Sequence, residues 1–594
     1  MLRTKHVMTL VLALLFIFSG SLASAVKGDS ALDSNFSALY AKLGTEGALK
    51  VIVKIDVPGI DGLTTKCNYF KTGSEDLASI QASVDADLEL ETAINHVTQS
   101  VLYQLNGTGY KLNHTYSTLP FIALEVTPQA LRRLENATEV ISVMEDRLLP
   151  LPKDVLAETD LDEPKLYDST DIVGADIAWN LGFTGAGWYV AVLDSGILRT
   201  HEMFAGKTVV EQCYSAELSC PNGRPQMSGP GSAAIYSSYY IGHEHGTHVA
   251  GIAAGNSHGG RAGVAKNANI IAVQVFSKFP KSICQNYGYD SGCVLSYDSD
   301  QVKGLEFVYS KRNQYKIASV NLSLGGSNYG NEEACNSDSL PYKTALQNLR
   351  DVGIAPVVAS GNDGECGRIG SPSCMTPAVS VGATDKNNNE AYYSNFQVDM
   401  LDIFAPGSAI VSAGGSSNTA YVGKSGTSMA TPHVAGAWAI IKQFSNLDVQ
   451  SIKLILQDSP TLVTTKCGTG AEKPLLNVGV SLQKLLKVAP PVNFSGEQVE
   501  NYSYFQTEYI NVLTWSANDL NKDRKVIGYR IYEVGETLND LSQLSDMNKD
   551  TFTYYHRKVK KNIPVTYAIT AYTEDGDESI PSYFELEMGI AQDN

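Results

Sequence analysis

Three short segments carry residues able to move an acyl group: Val192-Leu-Asp194-Ser-Gly-Ile197, His245-Gly-Thr-His-Val-Ala-Gly251 and Gly426-Thr-Ser428-Met-Ala-Thr-Pro-His-Val-Ala-Gly436. A serine hydroxyl is a weak nucleophile at neutral pH. It becomes effective when an imidazole accepts its proton and a carboxylate holds that imidazole in the required tautomer. Asp194, His245 and Ser428 supply these roles. Taken singly, each residue is equally suited to an ordinary place in a fold, Asp194 in a strand-end turn, His245 at a helix start and Ser428 as an N-cap. Together, in glycine-bearing segments, they read as one catalytic set, while His248, His433, His201, His243 and His258 are given structural roles.

Such a set works only if rigid elements bring it together. The region 165–487 alternates short apolar runs with helix-length segments, as a doubly wound parallel sheet requires. Strands are expected at Trp188 to Leu193, Asn269 to Phe276, Lys316 to Leu324, Ala355 to Ala359 and Ala378 to Val381, and helices starting near His245, Ser299, Pro341 and Ser428. The strands are apolar without alternation, the pattern of strands buried on both faces. Asp194 then ends a strand while His245 and Ser428 open helices, at the sheet rim where open parallel sheets place their ligands.

The chain order Asp, His, Ser is that of subtilisin and differs from the chymotrypsin and α/β-hydrolase orders. On these three blocks, residues 165 to 487 resemble the subtilisin-like serine proteases. The resemblance implies that Asn362, in Ala359-Ser-Gly361-Asn362-Asp-Gly364, donates to the oxyanion together with the Ser428 backbone N–H, whose helix start favours negative charge. It also implies that Asn321-Leu-Ser323-Leu324-Gly325-Gly326 pairs with an extended substrate as an added strand, with Gly361 and Asp363 beside the pocket for the residue before the scissile bond. Asp363 should disfavour acidic residues there. The chain departs from the family in two places. An insertion around Cys213 to Gly231 is expected to form a disulfide-pinned loop over the cleft. The segment Gly255 to Val264 is short and lacks the loop that in many relatives holds calcium. No cofactor is required for the chemistry. Structural calcium is compatible with Asp290, Asp298, Asp300, Asp399 and Asp402 on expected loops, but no twelve-residue EF-type loop occurs and no metal ligands are assigned.

The flanks have separate characters. Residues 1–25 read as a signal peptide: basic residues, an apolar run from Met8 to Phe18, then Ala23-Ser24-Ala25. Residues 26–150 form a small α+β unit, with Leu49 to Val57 extended, a helix from Asp76 towards Leu105, and a strand and helix from Phe121 to Leu134. With Thr118-Leu-Pro-Phe-Ile-Ala-Leu-Glu-Val126 this unit resembles the propeptide of the same family, which assists folding and then inhibits. Residues 151–167 are an acidic, proline-bearing linker where processing cleavage is expected, 168–487 the peptidase domain, and 490–594 a half-exposed antiparallel β module that resembles a fibronectin type III domain. Of nine cysteines, Cys67 precedes the peptidase. The other eight suit disulfides in an exported protein. Cys213 with Cys220 and Cys284 with Cys293 are the local pairs, and Cys335, Cys366, Cys374 and Cys467 allow three connectivities.

The net charge of −18 argues against nucleic acid, which needs clustered Lys and Arg, and no second apolar run is long enough for a membrane anchor. The fold class expected is therefore α/β, a subtilisin-like doubly wound parallel sheet between an α+β propeptide and an antiparallel β-sandwich. The expected activity is that of a secreted, extracellular serine endopeptidase, monomeric, acting on proteins or peptides, with periplasmic transit where an outer membrane exists and its own propeptide as intramolecular inhibitor. Two rivals stand beside it. One is a narrow-specificity processing protease, which would need strongly acidic pockets. The other is an inactive subtilisin-fold binding or adhesion scaffold, against which the complete residue set argues.

Overall fold

The computed structural model describes residues 29–72, 76–152, 166–502, 507–535 and 540–586. The expected signal peptide and most of the expected linker, including any cleavage point between 153 and 165, lie outside the described residues.

The central sheet has eight strands among the described residues, in the order Ile403–Pro406, Val379–Thr384, Ala355–Ala359, Ile317–Leu322, Tyr189–Asp194, Asn269–Gln274, Val209–Tyr214 and Gln226–Ser228. All neighbours are parallel except the last pair. Successive residues of one strand serve opposite layers. Val190 and Val192 pack with the helices His245–Ala254 and Thr427–Phe444, whereas Ala191 and Leu193 pack with the helices Asp298–Ser310 and Leu340–Asp351. Burial on both faces explains why these strands are apolar throughout.

The expected strands and helices of this region all form, within a few residues at their ends. The Cys213 to Gly231 insertion differs from expectation. Val209–Tyr214 is a full strand of the sheet and Gln226–Ser228 folds back on it, so the segment is an edge hairpin rather than a cover. Its tip reaches the N-terminal unit through Glu217, 2.8 Å from Lys50.

In the N-terminal unit four strands run in the order Lys111–Thr115, Phe121–Val126, Leu49–Ile55 and Val140–Glu145. The period of two divides their residues. Val51, Val53, Ile122 and Leu124 face the unit's own core, while Ile52, Phe121 and Ala123 share a cluster with Val302, Leu305 and Leu346 of the larger domain. The helix Leu77–Gln104 starts where Asp76 accepts from the Ser79 N–H at 2.9 Å, a side-chain N-cap. Leu148–Pro150, the last residues of the expected unit, form a further strand, antiparallel to Gly292–Tyr297.

Four disulfides form: Cys213–Cys220, Cys284–Cys293, Cys335–Cys374 and Cys366–Cys467. The two local pairs are those expected, and the other two select one of three connectivities. Cys67 is a buried free thiol pushed up to about 12, mainly by burial.

Among the described residues the C-terminal region contains two antiparallel sheets, of three strands (Val492–Tyr502, Thr507–Ser516, Thr553–Val559) and four (Leu541–Asn548, Val526–Val534, Val565–Thr573, Ser582–Leu586). Their facing residues, among them Leu513, Trp515, Ile531 and Tyr567, share one apolar cluster. Arg524 anchors the region by donating to the carbonyls of Gln483, at 2.8 Å, and Leu486, at the end of the helix Val478–Leu485.

Candidate active site

Asp194 is the last residue of its strand, and both its carboxylate oxygens approach His245 Nδ1, at 2.9 and 3.0 Å. Both residues are 1% exposed. The Ser195 N–H donates to Asp194 Oδ1 at 2.7 Å, so the carboxylate keeps charge-assisted bonds in a dry setting. With Nδ1–H committed to Asp194, Nε2 becomes the basic nitrogen of the ring. Gly246 makes the approach of strand and helix possible: a Cβ there would stand 2.2 Å from the Gly196 carbonyl oxygen and 3.0 Å from Asp194 Cβ.

Ser428 lies in the first turn of the helix Thr427–Phe444, 2% exposed. Its Oγ is 3.4 Å from the Ser323 carbonyl oxygen, and Ser323 Oγ donates to the Ser428 carbonyl at 2.8 Å. The helix start is thereby bonded to the expected substrate strand. Asn362 stands on the other side. Its Oδ1 accepts from the Thr427 N–H at 2.9 Å and from Thr427 Oγ1 at 2.8 Å. These two donors fix which end of the amide is oxygen, and its Nδ2 lies against Gly426, where a Cβ would be 3.0 Å away. Gly361 has φ +109° and a Cβ there would meet Asn395 Nδ2 at 2.4 Å, so the turn that presents Asn362 requires glycine.

The structure thus brings Asp194 to His245 and ties Asn362, Ser428 and Ser323 around one helix start. Leu324 is buried while Gly325 and Gly326 are half-exposed. Asp363 is exposed and spans two walls: its carboxylate accepts from Asn328 Nδ2 at 2.9 Å and from Asn395 Nδ2 at 3.3 Å. The sequence did not single out Asn328 or Asn395, polar loop residues without a motif of their own, and gave Thr427, inside the Gly426 to Gly436 segment, no role.

Leu148–Pro150 lies beside this set. A Cβ on Gly326 would stand 3.2 Å from Leu149, and one on Gly242, three residues before His245, 2.6 Å from Leu151. The described path of the N-terminal unit therefore ends with Leu149 beside Gly326, Leu148–Pro150 paired with the Gly292–Tyr297 strand and Leu151 beside Gly242.

Of the five acids considered for calcium, Asp290, Asp399 and Asp402 lie on loops as expected, and two are placed otherwise. Asp298 and Asp300 are buried in the first turn of a helix, not on a loop, because a helix start favours carboxylates. Asp298 pairs with Arg147 at 2.8 Å, and Asp300 with His114 at 2.6 Å. Asp402 pairs with Lys453 at 2.9 Å, while Asp290 and Asp399 are exposed. Among the described residues no three His, Cys, Asp or Glu side chains form a metal-sized group.

His248 and His433 hold the surrounding helices. His248 Nε2–H is shared between the carbonyls of Ile410 and Val422, at 3.0 and 2.9 Å. His433 bonds the Met429 carbonyl at 2.9 Å and Ser169 Oγ at 2.8 Å. Burial pulls their pKa values down, to about 3 for His248, where the Lys424 ammonium adds to it, and to about 4 for His433. An unfolded histidine takes up its proton near pH 6.5. Below that the unfolded chain binds more protons, so stability is fully present above pH 6.5, falls as pH drops from 6.5 towards the folded values, and levels off once they are passed. The slope is about 1.4 kcal/mol per pH unit for each histidine. In a Ser428→Ala background, which prevents self-digestion, His433→Gln should flatten the stability slope between pH 6 and 4.5 by about that amount in urea titrations. An unchanged slope contradicts the assignment.

Residues 185–473 match the sequence pattern of the subtilase family. The chain is 34% identical over 357 residues to an alkaline protease of Alkalihalobacillus alcalophilus, covering 59% of this chain and 78% of that one. It is 32% identical over 348 residues to an extracellular serine proteinase of a Thermus species, covering 58% and 71%. Among solved structures, a cold adapted subtilisin-like serine proteinase is similar over 50% of this chain and 90% of its own, at 29% identity and a TM-score of 0.38. With a match of residues 185–473 to the family's pattern, and with relatives 34% and 32% identical of which it covers 78% and 71%, the chain belongs to the subtilase family, the subtilisin-like serine proteases.

Proposed function

We propose that the protein is a secreted serine endopeptidase, made as a self-processing zymogen, that hydrolyses peptide bonds through an acyl-enzyme. The observation that carries this reading is the two-oxygen grip of buried Asp194 on His245 Nδ1. In the proposed cycle Ser428 Oγ attacks the scissile carbonyl carbon while its proton passes to His245 Nε2. Asp194 stays ionised and stabilises the imidazolium. Charge on the carbonyl oxygen is met by Asn362 Nδ2 and the Ser428 N–H. The imidazolium then protonates the leaving amine, and water activated by the same imidazole releases the acid and restores the serine. These groups need no cofactor. Labelling of Ser428 by a fluorophosphonate probe, after removal of the N-terminal unit, tests the reading. Absence of label on a folded chain would overturn it in favour of a binding scaffold.

The zymogen reading is supported by the path of Leu148 to Leu151 along the candidate substrate groove. The N-terminal unit is proposed as an intramolecular inhibitor and folding aid, released after cleavage in 151–167. A Ser428→Ala chain expressed alone should keep its full length, and maturation to the wild-type size would sink self-processing. Secretion is supported by the leader-like residues 1–25 and by four disulfides, which persist in oxidising compartments. Proteins or peptides are the proposed partners of a monomeric enzyme. The C-terminal sheets, with Trp515 and Tyr567 in a common core, are proposed as a fibronectin type III-like spacer.

Asp363 should weigh on specificity. Its carboxylate joins the turn of Asn362 to Asn328, just past Gly325-Gly326, at the expected rim of the first pocket. An exposed charge pair is worth about 0.2–1 kcal/mol. Asp363→Asn should therefore raise kcat/KM for substrates with Glu before the scissile bond by about 1.4- to five-fold and leave neutral substrates unchanged. Preferred cleavage after Asp or Glu by the wild type would contradict this role.

A further inference from the structure

The strands Ile410–Ala413 and Tyr421–Lys424 form an antiparallel hairpin, and three residues carry its second strand into Ser428. The hairpin also grips the segments that bear the other two residues of the set. Beyond Asp194, the Glu202 N–H donates to the Asn418 carbonyl at 2.8 Å, and Tyr421 Oη donates to the Glu202 carboxylate at 2.7 Å. On the helix His245–Ala254, the His248 carbonyl accepts from Ser412 Oγ at 2.8 Å, while the His248 ring bonds Ile410 and Val422, one on each strand.

The contact nearest His245 is of another kind. Glu244, the residue before it, accepts from the Gly415 N–H through Oε2 at 2.8 Å and pairs through Oε1 with Lys424 Nζ at 3.5 Å. The approach is close: a Cβ on Gly415 would stand 2.6 Å from Glu244 Cβ. The two side chains are 19% and 12% exposed, so water and salt screen their charges only in part. The Lys424 ammonium acts on His248, one turn beyond His245, where it adds to the fall in pKa.

We infer that Glu244 and Lys424 are positioning residues for the transfer of the Ser428 proton to His245. Their clasp fixes the strand that delivers Ser428 against the helix that carries His245, and its two opposite charges balance each other beside the imidazole. This deepens the serine-peptidase reading above and rests on it. His245 accepts a proton only as the neutral ring. A nearby cation favours that form, and a nearby anion favours the charged one. The other titratable groups around it are Asp194, bonded to its Nδ1, the half-exposed His243 on its own approach, and His248 and His433, which burial takes down to about 3 and about 4. Loss of one partner of the clasp leaves the other's charge unbalanced.

The test measures the rate of fluorophosphonate labelling of Ser428 against pH, on the full chain after folding and removal of its N-terminal unit. Lys424→Met leaves Glu244 unbalanced and should move the acidic limb to higher pH. Glu244→Gln leaves Lys424 unbalanced and should move it to lower pH. Each shift should be about 0.2–0.5 unit, the size of one partly screened charge, and should shrink at about 1 M salt. The double variant should bring the limb back to its wild-type position. Misalignment should also lower the high-pH plateau by about three- to ten-fold in each single variant, and by no more in the double variant, because both lose the same clasp. Lys424→Arg, which keeps the charge, should label like the wild type. A merely structural contact would lower the plateau without opposite movements of the limb. Labelling whose limb is unmoved, or moves the same way in both single variants, overturns this inference alone, as do plateau losses that add. Absence of labelling in the wild type overturns it together with the reading on which it rests.

Discussion

Ser428→Ala is expected to lower kcat by on the order of a million-fold while KM for a peptide substrate changes little. The nucleophile of such a set acts with its base as a unit, so His245→Ala should cost about as much and the double variant hardly more. The structure gives the reason for this coupling. His245 is oriented by Asp194 through Nδ1, and an oriented base without a hydroxyl to deprotonate contributes nothing to the acylation step. What survives is binding along the groove and oxyanion stabilisation, which still act on a water nucleophile. The check is single-turnover cleavage of a chromogenic peptide by enzyme whose N-terminal unit has been removed. Additive losses in the double variant would show that Ser428 and His245 do not work together.

Asn362→Ala should lower kcat by about 10²–10³-fold, corresponding to about 2.7–4 kcal/mol, the cost of removing one oxyanion donor. KM should stay nearly constant, because the donor meets a charge that exists only as the carbonyl becomes tetrahedral. The amide is held in advance by Thr427, whose N–H and Oγ both bond Oδ1. Thr427→Val removes the hydroxyl bond and keeps the backbone one, so its effect should be smaller and in the same direction. A rise in KM with constant kcat for Asn362→Ala would place this side chain in ground-state binding instead.

The candidate set stood out in the sequence because its residues sit in glycine-rich boundary segments where the residue types suited to the chemistry and the backbone geometry coincide. Gly246 and Gly361 are required by close approaches as much as by function. The central strands were legible from their continuous apolar runs. Val209–Tyr214 was not, since Glu211 and Gln212 interrupt the run; both are buried, and Arg199 pairs with one oxygen of Glu211 at 2.7 Å. Leu148–Pro150 was hidden by its length of three residues and the acidic stretch that follows. Ile403–Pro406, four residues ending in proline, belongs to a sheet edge, where proline is tolerated. The buried polar groups of Asn68 and Thr72 leave no local trace, because they find partners more than 240 positions away. Asp298 and Asp300 were read as loop acids. Their carboxylates serve a helix start and partners in another unit, which no spacing reveals.

The Cys366–Cys467 crosslink has a consequence for an enzyme surrounded by copies of itself. Asn362 precedes its first cysteine and Ser428 lies inside the loop it closes. A single nick in the exposed turn at Lys386 and Asn387 would leave Asn362 and Ser428 on two polypeptides still joined by sulfur. Damage of that kind should run unnoticed on a non-reducing gel and in an activity assay, and appear as two bands only when thiol is added.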